Sequence, residues 1–182
     1  MARTTFIDET ALVHPTATIG EGTMVWNWTK IREGATVGAD CNIGQAVYID
    51  FGTQIGDRCK IQNGVSVYHG VTLGNAVFVG PNATFTNDLR PRAHSDDWKV
   101  VETIVEDGAS IGANATIVCG VTLGCHCMVG AGAVVTADVP PHGLVLGCPA
   151  RVVDYVTVSG RRLNVSPADG VPDKSLLLDR KI

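Results

Sequence analysis

The chain is short of aromatic residues, of charge and of long apolar runs. Of its 182 residues only 5% are Phe, Trp or Tyr and 18% are charged, although 45% are apolar. No apolar stretch approaches the roughly 18–20 residues of a membrane span, so no transmembrane helix is expected. The apolar load is nonetheless too high for a disordered chain. Met1-Ala2-Arg3-Thr4-Thr5 leads into Asp8 and Glu9 without the apolar stretch of a secretion signal, and a cytoplasmic location is expected. The six cysteines are then expected to stay reduced; their spacing suggests no disulfide framework. A net charge of −4 argues against a surface that wraps nucleic acid, though a small anionic ligand needs only a local basic site. The length suits one domain with a tail.

What the chain has in plenty is glycine, 21 residues of it, and small aliphatic side chains set at a fixed interval. From Ile7, every sixth residue is aliphatic: Val13, Ile19, Val25, Ile31, Val37, Ile43, Ile49, Ile55, Ile61, Val67, Leu73 and Val79 follow. Four residues after each stands a side chain no larger than valine, from Ala11 and Ala17 to Val77 and Ala83. The register resumes at Val105, Ile111, Ile117, Leu123, Val129 and Val135. Residues 85–104 therefore read as an insertion. A helix repeats at 3.6 and a strand at 2, so neither explains a period of six, whereas a solenoid of very short strands joined by tight turns does. Nineteen hexads predict about six coils. The expected organisation is an all-β parallel β-helix over residues 1–151, with a loop insertion at 85–104 and a tail at 152–182.

An eighteen-residue coil places residue n above n−18, so the sequence reads in columns. One column runs Phe51, His69, Asn87, at the corner where the insertion departs; another, Asn27, Gln45, Asn63, lies on a different corner. An imidazole at such a corner suits proton transfer near neutral pH. Cys125-His126-Cys127 invites a zinc reading, but Cys127 falls on a buried small position and no metal is expected.

The hexads resemble the hexapeptide-repeat family, whose fold is a left-handed parallel β-helix assembled as a homotrimer with ligands between neighbouring prisms. Within it, the stretches Lys60 to Leu73 and Val77 to Asp88, followed by Pro91-Arg92, look like the nucleotide-sugar 3-N-acetyltransferases, which use acetyl-CoA to acetylate the C3 amine of UDP- or dTDP-linked amino sugars. The resemblance spans about residues 7–155. His69 stands where these enzymes usually carry an acidic residue and where related 4-N-acetyltransferases carry their catalytic His; there the His precedes an acidic residue, and here it precedes Gly70. The resemblance implies His69 as base, Asn87 as holder of the amine, and Asp88 as a group that orients His69 or binds a hydroxyl. Asn63, Tyr68 and Arg92 are expected on the nucleotide sugar, Arg92 reaching from an insertion that also carries Arg90, His94, Asp96, Asp97 and Trp98. Toward the C-terminus, Ile111 to Thr116, Val129 to Thr136 and Gly147-Cys148-Pro149-Ala150-Arg151 look like the CoA-binding end of these acyltransferases. Ala113, Ala131 and Thr136 are expected along the pantetheine and Arg151 on a CoA phosphate. O-acetyl transfer to a sugar hydroxyl, and a non-catalytic β-helix that binds a nucleotide sugar or a protein, are the alternatives; the sequence leaves UDP against dTDP open.

Overall fold

The computed structural model describes residues 4–94 and 97–179; Met1, Ala2, Arg3 and Asp96 lie outside the described residues. Strands of mostly two residues recur every six and sort into three parallel sheets, the faces of a triangular solenoid. The first face runs from Phe6–Ile7 through Met24–Val25 and Lys60–Ile61 to Gly143–Gly147. The second runs from Leu12–Val13 to Val134–Val135, and the third from Thr18–Ile19 to Thr122–Leu123. The register is the one the columns require: Phe6 pairs with Met24, Lys30 with Tyr48, Thr36 with Gln54. Eight parallel rungs stand on the first face, where about six coils were expected.

Each two-residue strand turns one side chain in and one out. The inward row is the aliphatic row of the sequence: Val25, Ile43, Ile49, Ile61, Ile111 and Leu123 are fully buried. The small row, Ala35, Cys59, Val65, Ala83 and Ala115, fills the corners beside it. Burying a Val or Ile is worth roughly 1.5–3 kcal/mol, and stacking repeats what no single coil could bury alone. The glycines divide by cause. A side chain at Gly38 or Gly56 would meet the backbone of the next coil at 2.6 or 2.7 Å, so these are places of close approach, whereas Gly52 and Gly64 hold φ of 63° and 70° at the turn.

The insertion begins later than the sequence suggests. Thr84–Phe85 is a regular strand of the second face, Phe85 pairs with Ile117, and its ring is wholly buried. A search for aliphatic residues passes over it because the inward position here holds an aromatic. The chain rejoins the third face at Thr103–Val105, where Val71 pairs with Thr103 across 32 residues instead of 18, so the loop adds fourteen. At the other end, Gly143–Gly147 folds back antiparallel onto Ala150–Tyr155, and the expected boundary after Arg151 falls inside that strand. The segment beyond carries a 3-10 turn at Pro167–Asp169 and a one-turn helix at Lys174–Leu177, with Leu177 buried. It is tied down by Asp154, whose carboxylate accepts from Arg162 (2.9 Å), Tyr155 N (2.8 Å), Val165 N (3.1 Å) and Asn164 N (3.2 Å). No helix among the described residues is long and apolar enough to cross a membrane.

Candidate active site

The corner between the second and third faces departs most from the repeat. His69 lies directly above Phe51, its imidazole stacked on the phenyl ring at 4.0 Å and 15°. Nδ1 is 2.9 Å from the Phe51 carbonyl oxygen, which can only accept, so the neutral ring carries its proton on Nδ1 and presents Nε2 as a lone pair. A backbone carbonyl thus does the orienting that the sequence reading sought in a carboxylate. One coil above, Asn87 donates through Nδ2 to the His69 carbonyl (3.3 Å), and its Oδ1 has no hydrogen bond among the described residues. His69 and Asn87 are brought together as the column predicts. Asp88 follows, but its Oδ1 accepts from Arg90 N (2.7 Å) in a local turn, and it makes no hydrogen bond to His69.

The same corner frees two backbone donors. At Gly52 the turn N–H reaches back to the Glu33 carbonyl (3.0 Å). The corresponding acceptor for Gly70 is the Phe51 carbonyl, which the imidazole occupies, and Gly70 N–H has no hydrogen bond among the described residues. Next to it, His69 N donates to Asp50 Oδ2 (3.2 Å) and Cys119 N to Thr86 Oγ1 (2.9 Å). Tyr68, standing between Asp50 and Thr86 in that column, offers no such acceptor, and Asn87 N–H is also without a partner among the described residues.

Beneath His69 lies a charged group that the sequence reading missed. Asp50, 7% exposed, accepts at Oδ1 from Arg32 Nη1, the Tyr48 hydroxyl and Phe51 N, each at 2.9 Å. Burial pushes its carboxyl up, but the Phe51 and His69 N–H groups, the Tyr48 hydroxyl and the Arg32 charge together hold it below the ordinary carboxylate range. Arg32 also pairs with Glu33 and lies 5.2 Å from the centre of the Phe51 ring. Arg32 and Asp50 share a column eighteen residues apart, a pairing the sequence displays, whereas the bond from His69 N to Asp50 spans nineteen and falls between columns.

Of the expected sugar-binding residues, Tyr68 shares this corner, its ring 5.8 Å from that of Tyr48. Arg92 sits in the insertion, whose Asp88, Arg90, Arg92, Trp98 and Lys99 line a cavity of about 650 Å³. Asn63 does not join them: it lies on the corner between the first and second faces, where its Oδ1 accepts from Gln45 N (3.0 Å). Ala113 and Ala131 stack on that other corner, with Gly132 N bonded to the Ala113 carbonyl (2.8 Å). Thr136 is exposed on the His69 corner, and Arg151 projects from the terminal hairpin, donating to the Ala150 carbonyl (2.9 Å). The residues expected on the acyl donor therefore span two corners of one chain. Near the third corner, burial pushes the Cys127 thiol up to about 12, and no three His, Cys, Asp or Glu side chains converge among the described residues.

The repeat is shared with known proteins. The model of the bacterial transferase hexapeptide (six repeats) matches residues 16–50 and 52–87, and that of the hexapeptide repeat of succinyl-transferase matches 34–69 and 102–137. The dTDP-3-amino-3,6-dideoxy-α-D-galactopyranose 3-N-acetyltransferase of Aneurinibacillus thermoaerophilus is 42% identical over 153 residues, covering 81% of this chain and 80% of the relative. Among solved structures, PerB of Caulobacter crescentus, in complex with CoA and GDP-perosamine, is 26% identical with a TM-score of 0.52. The acetyltransferase domain of PglB from Neisseria gonorrhoeae, in complex with acetyl coenzyme A, is 22% identical with a TM-score of 0.56. Each likeness covers 84% of this chain, which spans 58% of the length of either structure.

Proposed function

The chain belongs to the hexapeptide-repeat acyltransferases, and on that premise we propose that it transfers the acetyl group of acetyl-CoA to the C3 amine of a dTDP-linked 3-amino-3,6-dideoxyhexose. The observation that carries the reading is the corner on which His69 Nε2, Asn87 Oδ1 and a free backbone N–H meet. The 42% identical relative supports dTDP over UDP, the choice that the sequence leaves open.

The geometry supports direct attack. Asn87 Oδ1 accepts one amine hydrogen and aims the nitrogen lone pair at the thioester carbon. As the C–N bond forms, the carbonyl π pair moves to oxygen, and the Asn87 N–H stands free to meet the negative charge that develops there. Nε2 of His69 takes the proton from the ammonium; the Phe51 carbonyl, holding Nδ1–H, supports the imidazolium that results. Collapse of the tetrahedral intermediate expels the CoA thiolate, which His69 can reprotonate. No acyl-enzyme is needed.

Ala113 and Ala131 on one corner and Thr136 on another line a single pantetheine cleft only if two prisms pack side by side. The reading therefore includes a homotrimer, with Arg151 on a CoA phosphate, Tyr68 and Arg92 on the nucleotide sugar, and a cytoplasmic location where acetyl-CoA is supplied. The test is thiol release from acetyl-CoA with dTDP- and UDP-linked 3-amino and 4-amino sugars, with product masses. Turnover restricted to dTDP-3-amino sugars with a 42 Da gain is expected; silence across the panel overturns the reading in favour of a non-catalytic binding protein, and a gain on a sugar lacking the amine favours O-acetylation.

A further inference from the structure

Most side chains that bond the next coil in this solenoid hold one N–H. Asp57, Asn75 and Asp107 each accept a single backbone N–H from the coil before them. Asp50 is different in kind. Its two oxygens receive four donors, two from side chains and two from backbone, and the backbone pair, Phe51 N–H and His69 N–H, belongs to the two residues whose stacking makes the base. Phe51 donates its N–H to Asp50 and accepts the imidazole proton on its carbonyl. His69 is thus gripped at its main chain by Asp50 and at its ring by the carbonyl of Phe51, the residue whose N–H Asp50 also holds.

The grip is charged, and its charge is balanced away from the imidazole. Arg32 meets Asp50 at 2.9 Å and lies over the Phe51 ring, one coil below, while His69 stacks on that ring from one coil above. The phenyl ring keeps the guanidinium off the imidazole. Tyr48 supplies a fourth, neutral donor. An uncharged amide at position 50 has one acceptor oxygen in place of two, so it cannot satisfy Arg32 and both N–H groups together.

We propose that Asp50, clamped by Arg32 and Tyr48, is the positioning residue that fixes the tautomer of His69, keeping the neutral ring protonated at Nδ1 so that Nε2 faces the substrate amine. Asp50 acts not on the reacting atoms but through the backbone of Phe51 and His69. The inference rests on His69 being the base.

The test joins kinetics to the 15N spectrum of histidine-labelled enzyme, in which the two neutral tautomers give distinct nitrogen shifts. In Asp50→Asn, kcat falls at least tenfold, the KM values for acetyl-CoA and for the nucleotide sugar stay within about twofold, and the His69 signals move toward a mixture of tautomers. Asp50→Glu, which keeps both oxygens, recovers part of kcat. Tyr48→Phe removes one neutral donor and is the variant to read if Asp50→Asn does not fold: a two- to threefold fall in kcat with a detectable second tautomer is expected. Wild-type kcat and wild-type nitrogen shifts in Asp50→Asn, or in Tyr48→Phe where the former is unfolded, overturn the proposal. If His69→Ala itself keeps full activity, it is the base assignment that fails, and the tautomer spectrum still decides whether Asp50 holds the ring.

Discussion

Two corners of the solenoid use the same kind of bond to opposite ends. Between the third and first faces, Ala39 N donates to Asp57, Asp57 N to Asn75 and Asn75 N to Asp107, at 2.7–2.9 Å, and each coil is tied to the next without a gap. Between the second and third faces the accepting side chains stand one hexad position earlier and take their N–H from the coil above, in the column Asp50, Tyr68, Thr86, and the tyrosine interrupts it. The first corner consumes its polar groups in holding the stack. The second leaves an imidazole edge, a carboxamide oxygen and two N–H groups unspent. The proposed chemistry sits where the ladder is missing a rung.

If that contrast is sound, the two corners should respond to mutation in different measurements. His69→Ala is the largest expected effect: kcat falls by roughly 10²-fold or more, the loss of a general base, while the urea midpoint stays put. A midpoint that moves with the activity instead assigns His69 to packing. Tyr68→Thr repairs the ladder, since a threonine there can accept from Asn87 N–H as Thr86 accepts from Cys119. Hydrogen exchange at the Asn87 amide should slow, and kcat should fall about tenfold as the oxyanion donor is withdrawn; unchanged kcat with a protected amide removes that donor from the mechanism. Smallest is Asp107→Ala on the intact ladder, which costs about 0.5–1 kcal/mol at pH 6, at the low end for a hydrogen bond because the group is exposed, and leaves turnover unchanged. Its bond to Asn75 N holds the Asp107 carboxyl below the ordinary range. The stabilisation is therefore full above the unfolded pKa of about 3.9 and is lost as pH falls through the folded value, so wild type and variant should converge in acid. Parallel curves show that the bond is not the source.

The fold was legible because its periodicity is geometric. A strand of two residues and a turn of four leave no freedom in which residue faces in, and Ile43, Ile61 and Ile111 stand where counting by six puts them. Legibility ended where the count lost its meaning. Phe85 fills an inward position with a ring that an aliphatic search rejects. The strand Ala150–Tyr155 runs antiparallel and carries no hexad. In the site, His69 above Phe51, Asn87 above His69 and Asp50 above Arg32 follow from column arithmetic, whereas the bond from His69 N to Asp50 reaches diagonally between coils. Asn63, five residues from Tyr68 in sequence, stands on a different corner of the same prism, with the strand Ser66–Val67 between them. Sequence proximity and proximity around a prism are different quantities.

The loop between Asn87 and Val101 leaves the stack and returns with Val101 N bonded to the Asn87 carbonyl (3.2 Å). Its two ends are closed on each other, and the strands above and below pair as though it were not there. Such an excursion can lengthen, shorten or change composition without asking anything of the interior, because the core registers only the re-entry point. The part of the molecule proposed to meet the sugar is in that sense an exchangeable fitting on a fixed frame, and descendants of one ancestral stack can change that fitting without ever reopening the problem of how to fold.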